Sequence, residues 1–258
     1  MPDNPGMATR QQLLEAFDIL LAPEKFKDYG PNGLQVEGKP EVRRIVSGVT
    51  ASRALIEAAI ADRADAVFVH HGLFWRGQDG RVTGWMKQRL ALLLAHDINL
   101  FAYHLPLDAH PELGNNAQLG LRLGLQAGGH FGDQDLGFIG GRTDGASFAN
   151  GQALASHLEN VLNRPVARID GARGAIKRVA WCTGGAQDYF EAAIAAGADA
   201  FITGEMSEPQ AHYARECGVS YFACGHHATE RYGAPAVTGH VAGKLGLEHR
   251  FIEIDNPA

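Results

Sequence analysis

The segment Glu57-Ala-Ala-Ile-Ala-Asp-Arg-Ala-Asp-Ala66 returns in the second half of the chain as Glu191-Ala-Ala-Ile-Ala-Ala-Gly-Ala-Asp-Ala200, with two positions changed. An apolar strand pattern precedes each copy, at 45–49 and at 179–182, and each copy is followed by a strand, a helix and another strand. Because the order of elements agrees as well as the letters, a duplication explains the pattern better than the alternative, chance likeness between two alanine-rich helices.

Short apolar strands separated by helices are typical of parallel sheets that are covered on both faces. The chain is therefore predicted to be an α/β protein with two similar lobes from an internal repeat, built on mostly parallel sheets flanked by helices. The glycine-rich stretch 128–132 is the predicted boundary between the lobes. We expect one lobe over 1–128 and the other over 129–258, with the C-terminal part able to pack back on the first lobe.

The composition predicts a soluble globular protein, since 45% of the 258 residues are hydrophobic and 20% are charged. The net charge of −6 disfavours nonspecific binding to nucleic acid, which normally needs a basic face. No apolar run of about 18 residues predicts a membrane span, and the N-terminal stretch does not resemble a secretory signal. Three cysteines without a C-x-x-C pair favour a reducing cytoplasm.

Polar residues follow three of the predicted strands, where ligands of parallel sheets gather. His70 and His71 follow the strand at 67–69, and a second strand runs through Tyr103 into a polar stretch that contains Asp108. The strand at 220–223 leads into a third such stretch. The candidate metal ligands are His70, His71, Asp108, His226 and Glu230.

The spacing of these residues favours a pair of metal ions. On an extended backbone His70 and His71 point in different directions, which two adjacent metals could both use. His226 and Glu230 are four apart, which on a helix places them on one face. Imidazole and carboxylate ligands without sulfur favour Zn, Mn, Fe, Co or Ni. Two such ions would lower the pKa of a bridging water and favour hydroxide.

Other residues near these strand ends have two interpretations. His104, His110 and His227 are plausible as substrate-facing groups or as partners of the ligands. The alternative for any histidine near a strand end is an ordinary solvated or hydrogen-bonded residue, and for the five candidate ligands it would require them to collect by accident.

Two further features lie near the repeat counterparts of these strand ends. Glu205 follows Thr203-Gly204 at the counterpart of His70-His71, and we expect it to face the same cavity. Gly184-Gly185 could cradle a phosphate, but it lacks the lysine and the spacing of a P-loop.

Three motifs in this order resemble the family of dinuclear metal centre proteins whose members are called GTP cyclohydrolase 1 type 2 homologues. The motifs are His70-His71-Gly72-Leu73-Phe74-Trp75, the stretch Tyr103-His104-Leu105-Pro106-Leu107-Asp108-Ala109-His110, and Gly225-His226-His227-Ala228-Thr229-Glu230-Arg231. The stretch Asp28-Tyr29-Gly30-Pro31-Asn32-Gly33-Leu34-Gln35-Val36 resembles the opening signature of the family, with Tyr29-Gly30-Pro31-Asn32 in place of a more compact pattern.

The resemblance implies two divalent metal ions per chain held by His70, His71, Asp108, His226 and Glu230, with Glu230 as a bridging ligand. It also implies self-association into a toroidal homo-oligomer, commonly a hexamer, with the sites facing an inner cavity. Cyclohydrolase activity itself is not inferred from these residues, because a family label is an associational argument.

The sequence-based hypothesis for function is a metal-dependent hydrolase of a small nucleotide-like or peptide-like substrate. A metal-bridging hydroxide would be the nucleophile, and His104 or His227 would shuttle protons. The alternative is a non-catalytic metal-handling or adaptor protein.

Overall fold

The computed structural model describes residues 6–171 and 174–258. In chain order its strands are β1 (Ala8–Thr9), β2 (Gly33–Val36), β3 (Glu41–Val42), β4 (Arg44–Thr50), β5 (Ala66–His71), β6 (Asn99–Ala102), β7 (Leu125–Phe131), β8 (Gly137–Arg142), β9 (Ala167–Ile169), β10 (Val179–Trp181), β11 (Ala200–Thr203), β12 (Ser220–Ala223) and β13 (Glu248–Phe251). Its α-helices are α1 (Arg10–Leu21), α2 (Arg53–Ala61), α3 (Gly84–Ala95), α4 (Leu105–Ala109), α5 (Asn115–Arg122), α6 (Gly151–Leu162), α7 (Phe190–Ala195), α8 (Glu208–Cys217), α9 (His226–Glu230) and α10 (Gly233–Leu245).

The chain divides into two compact units. The first contains the residues up to Leu107 together with Gly233–Asp255, and the second contains Asp108–Tyr232 together with Asn256–Ala258. The division therefore differs from the predicted boundary between 128 and 129, which falls inside β7. The glycines of that stretch belong to a strand paired with β8, and its register shifts between Ala127 and Gly129. A break in pairing register, and not a linker, accounts for the glycine-rich composition there.

The sheet of the first unit has the order β13-β4-β5-β6-β2. Its first four strands are parallel, and β2 pairs antiparallel with β6 at the edge. The crossover helices α2 and α3 connect β4 to β5 and β5 to β6. The C-terminal return consists of α10 and β13, which pairs with β4.

The sheet of the second unit has the order β7-β8-β10-β11-β12-β9. Its centre, β10-β11-β12, is parallel and is connected by α7 and α8, while β8, β7 and β9 add antiparallel pairings. Strands β4, β5 and β6 and strands β10, β11 and β12 thus have the same order and the same crossovers. The α/β class and the predicted order of elements in both halves are confirmed, and antiparallel strands extend each parallel centre.

An aspartate in the loop before the second parallel strand holds each repeat together. In the first unit Asp65 Oδ2 accepts hydrogen bonds from the backbone N–H groups of Arg43 and Arg44, at 3.0 and 3.2 Å. In the second unit Asp199 Oδ2 accepts from Lys177 and Arg178, at 3.0 and 2.8 Å. Because each carboxylate binds the chain just before the first parallel strand, it sets where β4 and β10 begin.

Helix α1 shows how the sequence sets a local boundary. Gln12 N donates to Thr9 Oγ1 at 3.1 Å, and Thr9 N donates to Gln12 Oε1 at 2.8 Å, which is the predicted capping box. Leu13, Phe17 and Leu21 form the buried face of the helix. Capping and periodicity together predict where this helix begins and which face it buries, and Phe17 on that face packs against Phe68, Phe101 and Tyr103.

Buried side chains of the parallel strands pack against the crossover helices. Val67 of β5 lies in a core cluster with Leu55 and Ile56 of α2. Phe201 of β11, the residue after Ala200, stacks on Phe190 of α7 with ring centroids 5.7 Å apart. These residues are fully buried, so the parallel strands of each sheet pack directly against the crossover helices.

Within the described residues, no helix has the length and apolar character that crossing a membrane requires.

The ion pair of Asp65 predicts a pH dependence of stability. Burial alone would raise the pKa of Asp65, but the hydrogen bond from Lys39 Nζ and those from Arg43 and Arg44 lower it below 3.8. A lowered pKa in the folded state adds stability above the unfolded value, and this stability is lost as the pH falls through the lower folded value. We expect Asp65→Asn to reduce the free energy of unfolding by on the order of 1 kcal/mol at neutral pH.

Urea unfolding at several pH values measures this difference, which should shrink below pH 3.8. In the Asp65→Asn background, Lys39→Gln should have little further effect, because the two substitutions remove the same pair. A difference that is independent of pH would contradict the assignment.

Candidate functional site

Two parallel strands of the first unit end in histidines. β5 ends with His70 and His71, and His104 comes two residues after β6. One possible ligand atom from each of these three imidazoles lies within 4.8 Å of one from each of the others. We call this group the imidazole cluster. Its ring centroids are 4.5 Å apart for His70 and His71, and 4.9 Å apart for His70 and His104.

Hydrogen bonds to neighbouring strands orient the first two rings. The Nδ1 of His70 lies 3.2 Å from the carbonyl oxygen of Tyr103. Because a carbonyl oxygen can only accept, Nδ1 carries the proton in this bond and Nε2 carries the lone pair. The Nδ1 of His71 lies 3.1 Å from Thr50 Oγ1 of β4, the neighbour on the other side of β5. The expected divergence of His70 and His71 is therefore wrong: partners on the two flanking strands turn the rings so that they converge.

His104 was predicted to transfer protons. It is hydrogen-bonded to Asp28, a residue to which the sequence motifs assigned no role. Its Nδ1 lies 2.7 Å from Asp28 Oδ1. Burial would raise the pKa of Asp28, but the hydrogen bond and charge of His104 and the donors Asn32 and Leu105 lower it to about 2. Asp28 is thus a carboxylate at neutral pH and a permanent acceptor for His104.

The second unit contains a buried carboxylate at Asp108. Its Oδ1 accepts hydrogen bonds from Asn115 Nδ2 at 2.9 Å and from Thr183 Oγ1 at 3.2 Å. Asn116 completes the network, since its Oδ1 accepts from Thr183 N at 2.9 Å and its Nδ2 donates to Leu136 O at 3.1 Å. Nothing in the sequence motifs pointed to these three partners; for the two asparagines the available signal was Gly-Asn-Asn at the start of a helix, where two amides are poor choices for a core without a polar role.

Helix α9 carries the second group of residues, and its spacing acts as predicted. His226 Nε2 lies 3.1 Å from Glu230 Oε2, one helical turn away. Glu205, expected near this cavity, places Oε1 2.6 Å from His226 Nδ1. Burial would lower the pKa of His226, but the hydrogen bonds and negative charges of Glu230 and Glu205 raise it to about 9. The two carboxylates therefore favour positive charge at this imidazole.

Asp108 and Glu230 also approach one another within this unit. A carboxylate oxygen of Asp108 lies within 4.8 Å of one of Glu230, and both side chains are buried. We call Asp108, His226 and Glu230 the carboxylate cluster. Two buried carboxylates this close repel each other, so a bound cation would stabilise their charged forms.

The glycine pair Gly184-Gly185 makes room for this cluster. Gly184 has φ +68°, and a Cβ at that position would overlap Glu230 Oε1. Its N–H donates to Thr229 Oγ1 at 2.9 Å. The stretch that resembled a weak phosphate loop is therefore a backbone turn that accommodates a carboxylate and positions α9.

Two other histidines that were considered lie outside these groups. His227 is buried in α9, but neighbouring positions on a helix do not share a face. In the part of the chain that the structure describes, the groups of possible metal ligands include neither His227 nor His110. His110 Nδ1 accepts from the backbone N–H groups of Glu112 and Leu113, which is a local turn contact. Of the two predicted proton carriers, only His104 belongs to a cluster.

Comparison with known proteins agrees with the motifs. Residues 8–257 match the family Duf34/NIF3 (NGG1p interacting factor 3). A protein of Allochromatium vinosum called GTP cyclohydrolase 1 type 2 homolog is 51% identical over 259 residues, which cover 99% of this chain and 100% of that protein. A protein of Pseudomonas aeruginosa with the same name is 49% identical, covering 95% of this chain and 97% of its own length.

Solved structures show the same fold. The structure of protein ybgI, described as of unknown function, has a TM-score of 0.93 and 46% identity, covering 97% of this chain and 100% of its own. A crystal structure from Thermus thermophilus has a TM-score of 0.88 and 31% identity, covering 97% and 100% of the two chains.

The close approach of Gly184 to Glu230 predicts that a methyl group added at residue 184 lowers the stability of the protein. Gly184→Ala should lower the free energy of unfolding by about 1–3 kcal/mol, because the residue has a left-handed backbone and its Cβ would displace the Glu230 carboxylate. Thermal and urea unfolding measure the loss. The control is Gly80→Ala, since a Cβ at Gly80 meets no atom within 4 Å. Equal stability of the two variants would contradict the role of Gly184.

Proposed function

Since the chain belongs to the Duf34/NIF3 (NGG1p interacting factor 3) family, we propose that it binds two divalent metal ions and acts as a metal-dependent hydrolase. The proposed ligands are His70, His71, Asp108, His226 and Glu230. The observation that carries the proposal is the clustering of three imidazoles in one unit, and in the other the approach of Glu230 to both Asp108 and His226.

The donor set fits such ions. It offers imidazole nitrogen and carboxylate oxygen without thiolate sulfur, which suits Zn, Mn, Fe, Co or Ni. The ligands also have the partners that metal ligands usually have: His70 Nδ1 donates to the backbone carbonyl of Tyr103, and Asp108 accepts from Asn115. These hydrogen bonds fix the orientation of the metal-ligating atoms without a bound cation.

Bound divalent ions would supply Lewis acidity and lower the pKa of a coordinated water. Side chains of the protein would transfer the protons. With Nδ1 of His104 held by Asp28, Nε2 is the atom of that ring that accepts a proton from, or returns it to, a substrate. Trp75 lies edge-on to His104, with centroids 5.0 Å apart.

The proposed substrate is a small nucleotide-like or peptide-like molecule with a bond that water can cleave. The name of the curated relatives mentions GTP cyclohydrolase, and for this chain we propose only the broader hydrolytic class. A specific observation favours an alternative, a metal-handling or adaptor protein: His70, Asp108 and Glu230 are all buried. Ligands that enclose a metal leave less room for a substrate.

The first prediction concerns metal content. Purified protein should carry about two divalent ions per chain, as two-metal hydrolytic centres do, and His70→Ala and Glu230→Ala should each lower that number because they remove a donor. Elemental analysis measures it. His212→Ala is the control, since His212 is exposed and pairs with Glu208 on α8. Retention of the full metal content by both ligand variants would rule out the proposed ligand set.

The second prediction concerns turnover. Metal-stripped protein supplied with Mn, Zn, Co or Fe should hydrolyse at least one member of a panel of nucleotides, phosphoesters and short peptides. The rate should vanish with chelator and drop at least about a hundredfold in Asp108→Ala, the scale of a lost catalytic group. Stoichiometric metal binding with no turnover across the panel would reject the hydrolase and favour the metal-handling alternative.

A ring-like homohexamer is also proposed, from the family resemblance. Light scattering should give a six-fold multiple of 27.7 kDa. A monomer mass for the unaltered chain at micromolar concentration would contradict the assembly.

A further inference from the structure

The opening signature, Asp28-Tyr29-Gly30-Pro31-Asn32-Gly33-Leu34-Gln35-Val36, has no part in the ligand set. It precedes and includes β2, and the carboxylate of its first residue contacts the imidazole cluster: the Asp28 side chain is 3% exposed. A carboxylate with so little exposure needs hydrogen-bond donors to remain charged. The identity of those donors indicates what Asp28 does.

Four donors saturate the Asp28 carboxylate. Oδ1 accepts from Tyr29 N at 2.6 Å and from His104 Nδ1 at 2.7 Å. Oδ2 accepts from Asn32 Nδ2 at 2.9 Å and from Leu105 N at 2.9 Å. Asp28 therefore binds both the ring of His104 and the backbone N–H of the residue that follows it.

Asn32 of the same signature holds the other side of that backbone. Its Oδ1 accepts from His104 N at 2.7 Å, while its Nδ2 donates to Asp28. The aromatic rings of Trp75 and Tyr29 approach the imidazole of His104 edge-on, at 5.0 and 6.0 Å between centroids. With the backbone and the ring both confined, His104 has one orientation, with Nδ1 toward the signature.

We infer that Asp28 is a positioning residue that keeps the proton of His104 on Nδ1, so that Nε2 keeps its lone pair. The reason is the chemistry of the donor and the acceptor: an ionised carboxylate can only accept, so the 2.7 Å contact requires a proton on Nδ1. That lone pair is the one that would take up a proton from a substrate, and in this respect the inference rests on the proposed function.

Nitrogen NMR of metal-free protein with labelled histidine tests the inference directly. At a pH where the His104 ring carries one proton, its spectrum should show a protonated Nδ1 and an unprotonated Nε2, with the signals assigned by their loss in His104→Gln. In Asp28→Asn the amide can donate to Nδ1, which would move the proton to Nε2, the tautomer error that such a substitution causes in a catalytic triad. Asp79→Asn, at an exposed carboxylate that pairs only locally with Arg81, is the matched control and should leave the spectrum unchanged.

Metal affinity provides a second measurement on the same variants. Titration with Co²⁺ should show unchanged binding in Asp28→Asn as well as in Asp79→Asn, because His104 is a proposed proton carrier and not one of the five proposed ligands. A structural role alone would lower stability without exchanging the tautomer.

An Nε2-protonated His104 in the unaltered protein would overturn the inference, even if Asp28→Asn failed to fold. So would a folded Asp28→Asn variant with the original tautomer. Absence of Co²⁺ binding by the unaltered protein would instead refute the proposed function, and the tautomer result would stand on its own.

Discussion

Parallel pairing of three consecutive strands is the constraint on which the rest of each unit depends. β4, β5 and β6 in the first unit, and β10, β11 and β12 in the second, all end at one edge of their sheet. Residues far apart in sequence become neighbours there, as His70 and Tyr103 do across β5 and β6. The crossover helices make this possible, since parallel strands require a long connection between them.

The two clusters differ in charge, although the repeated strands that carry them have the same order. The imidazole cluster offers ring nitrogens, and the Nδ1 atoms of His70 and His104 lie against a carbonyl and a carboxylate. The carboxylate cluster contains Asp108 and Glu230, and Glu230 together with Glu205 raises the pKa of His226. An environment that stabilises a protonated imidazole also stabilises a metal cation, because both interact with the same negative charges. The two units therefore differ in chemistry while sharing the same order of parallel strands.

Residues around the two clusters position the side chains of the possible ligands. Asn115, Thr183 and Gly184 surround Asp108 and Glu230 with donors or with space, and the signature containing Asp28 holds His104. Such surroundings are costly to build, since each buried polar group must be satisfied. These donors and this space support a functional interpretation of the clusters over an accidental gathering of histidines at strand ends.

The sequence by itself determined the features that follow from local pattern. Periodicity and the repeated decapeptide predicted the α/β class and the order of strands and helices, and the four-residue spacing of His226 and Glu230 predicted a shared helix face. Only the tertiary structure decided which distant segments meet. The pairing of β13 with β4 assigns the C-terminal return to the first unit, and the bond between Asp28 and His104 joins residues 76 positions apart. Neither contact leaves a periodic signal in the sequence. Hydrogen bonds between distant segments depend on the path of the chain between them, whereas helices, caps and strand alternation depend on neighbours within a few residues.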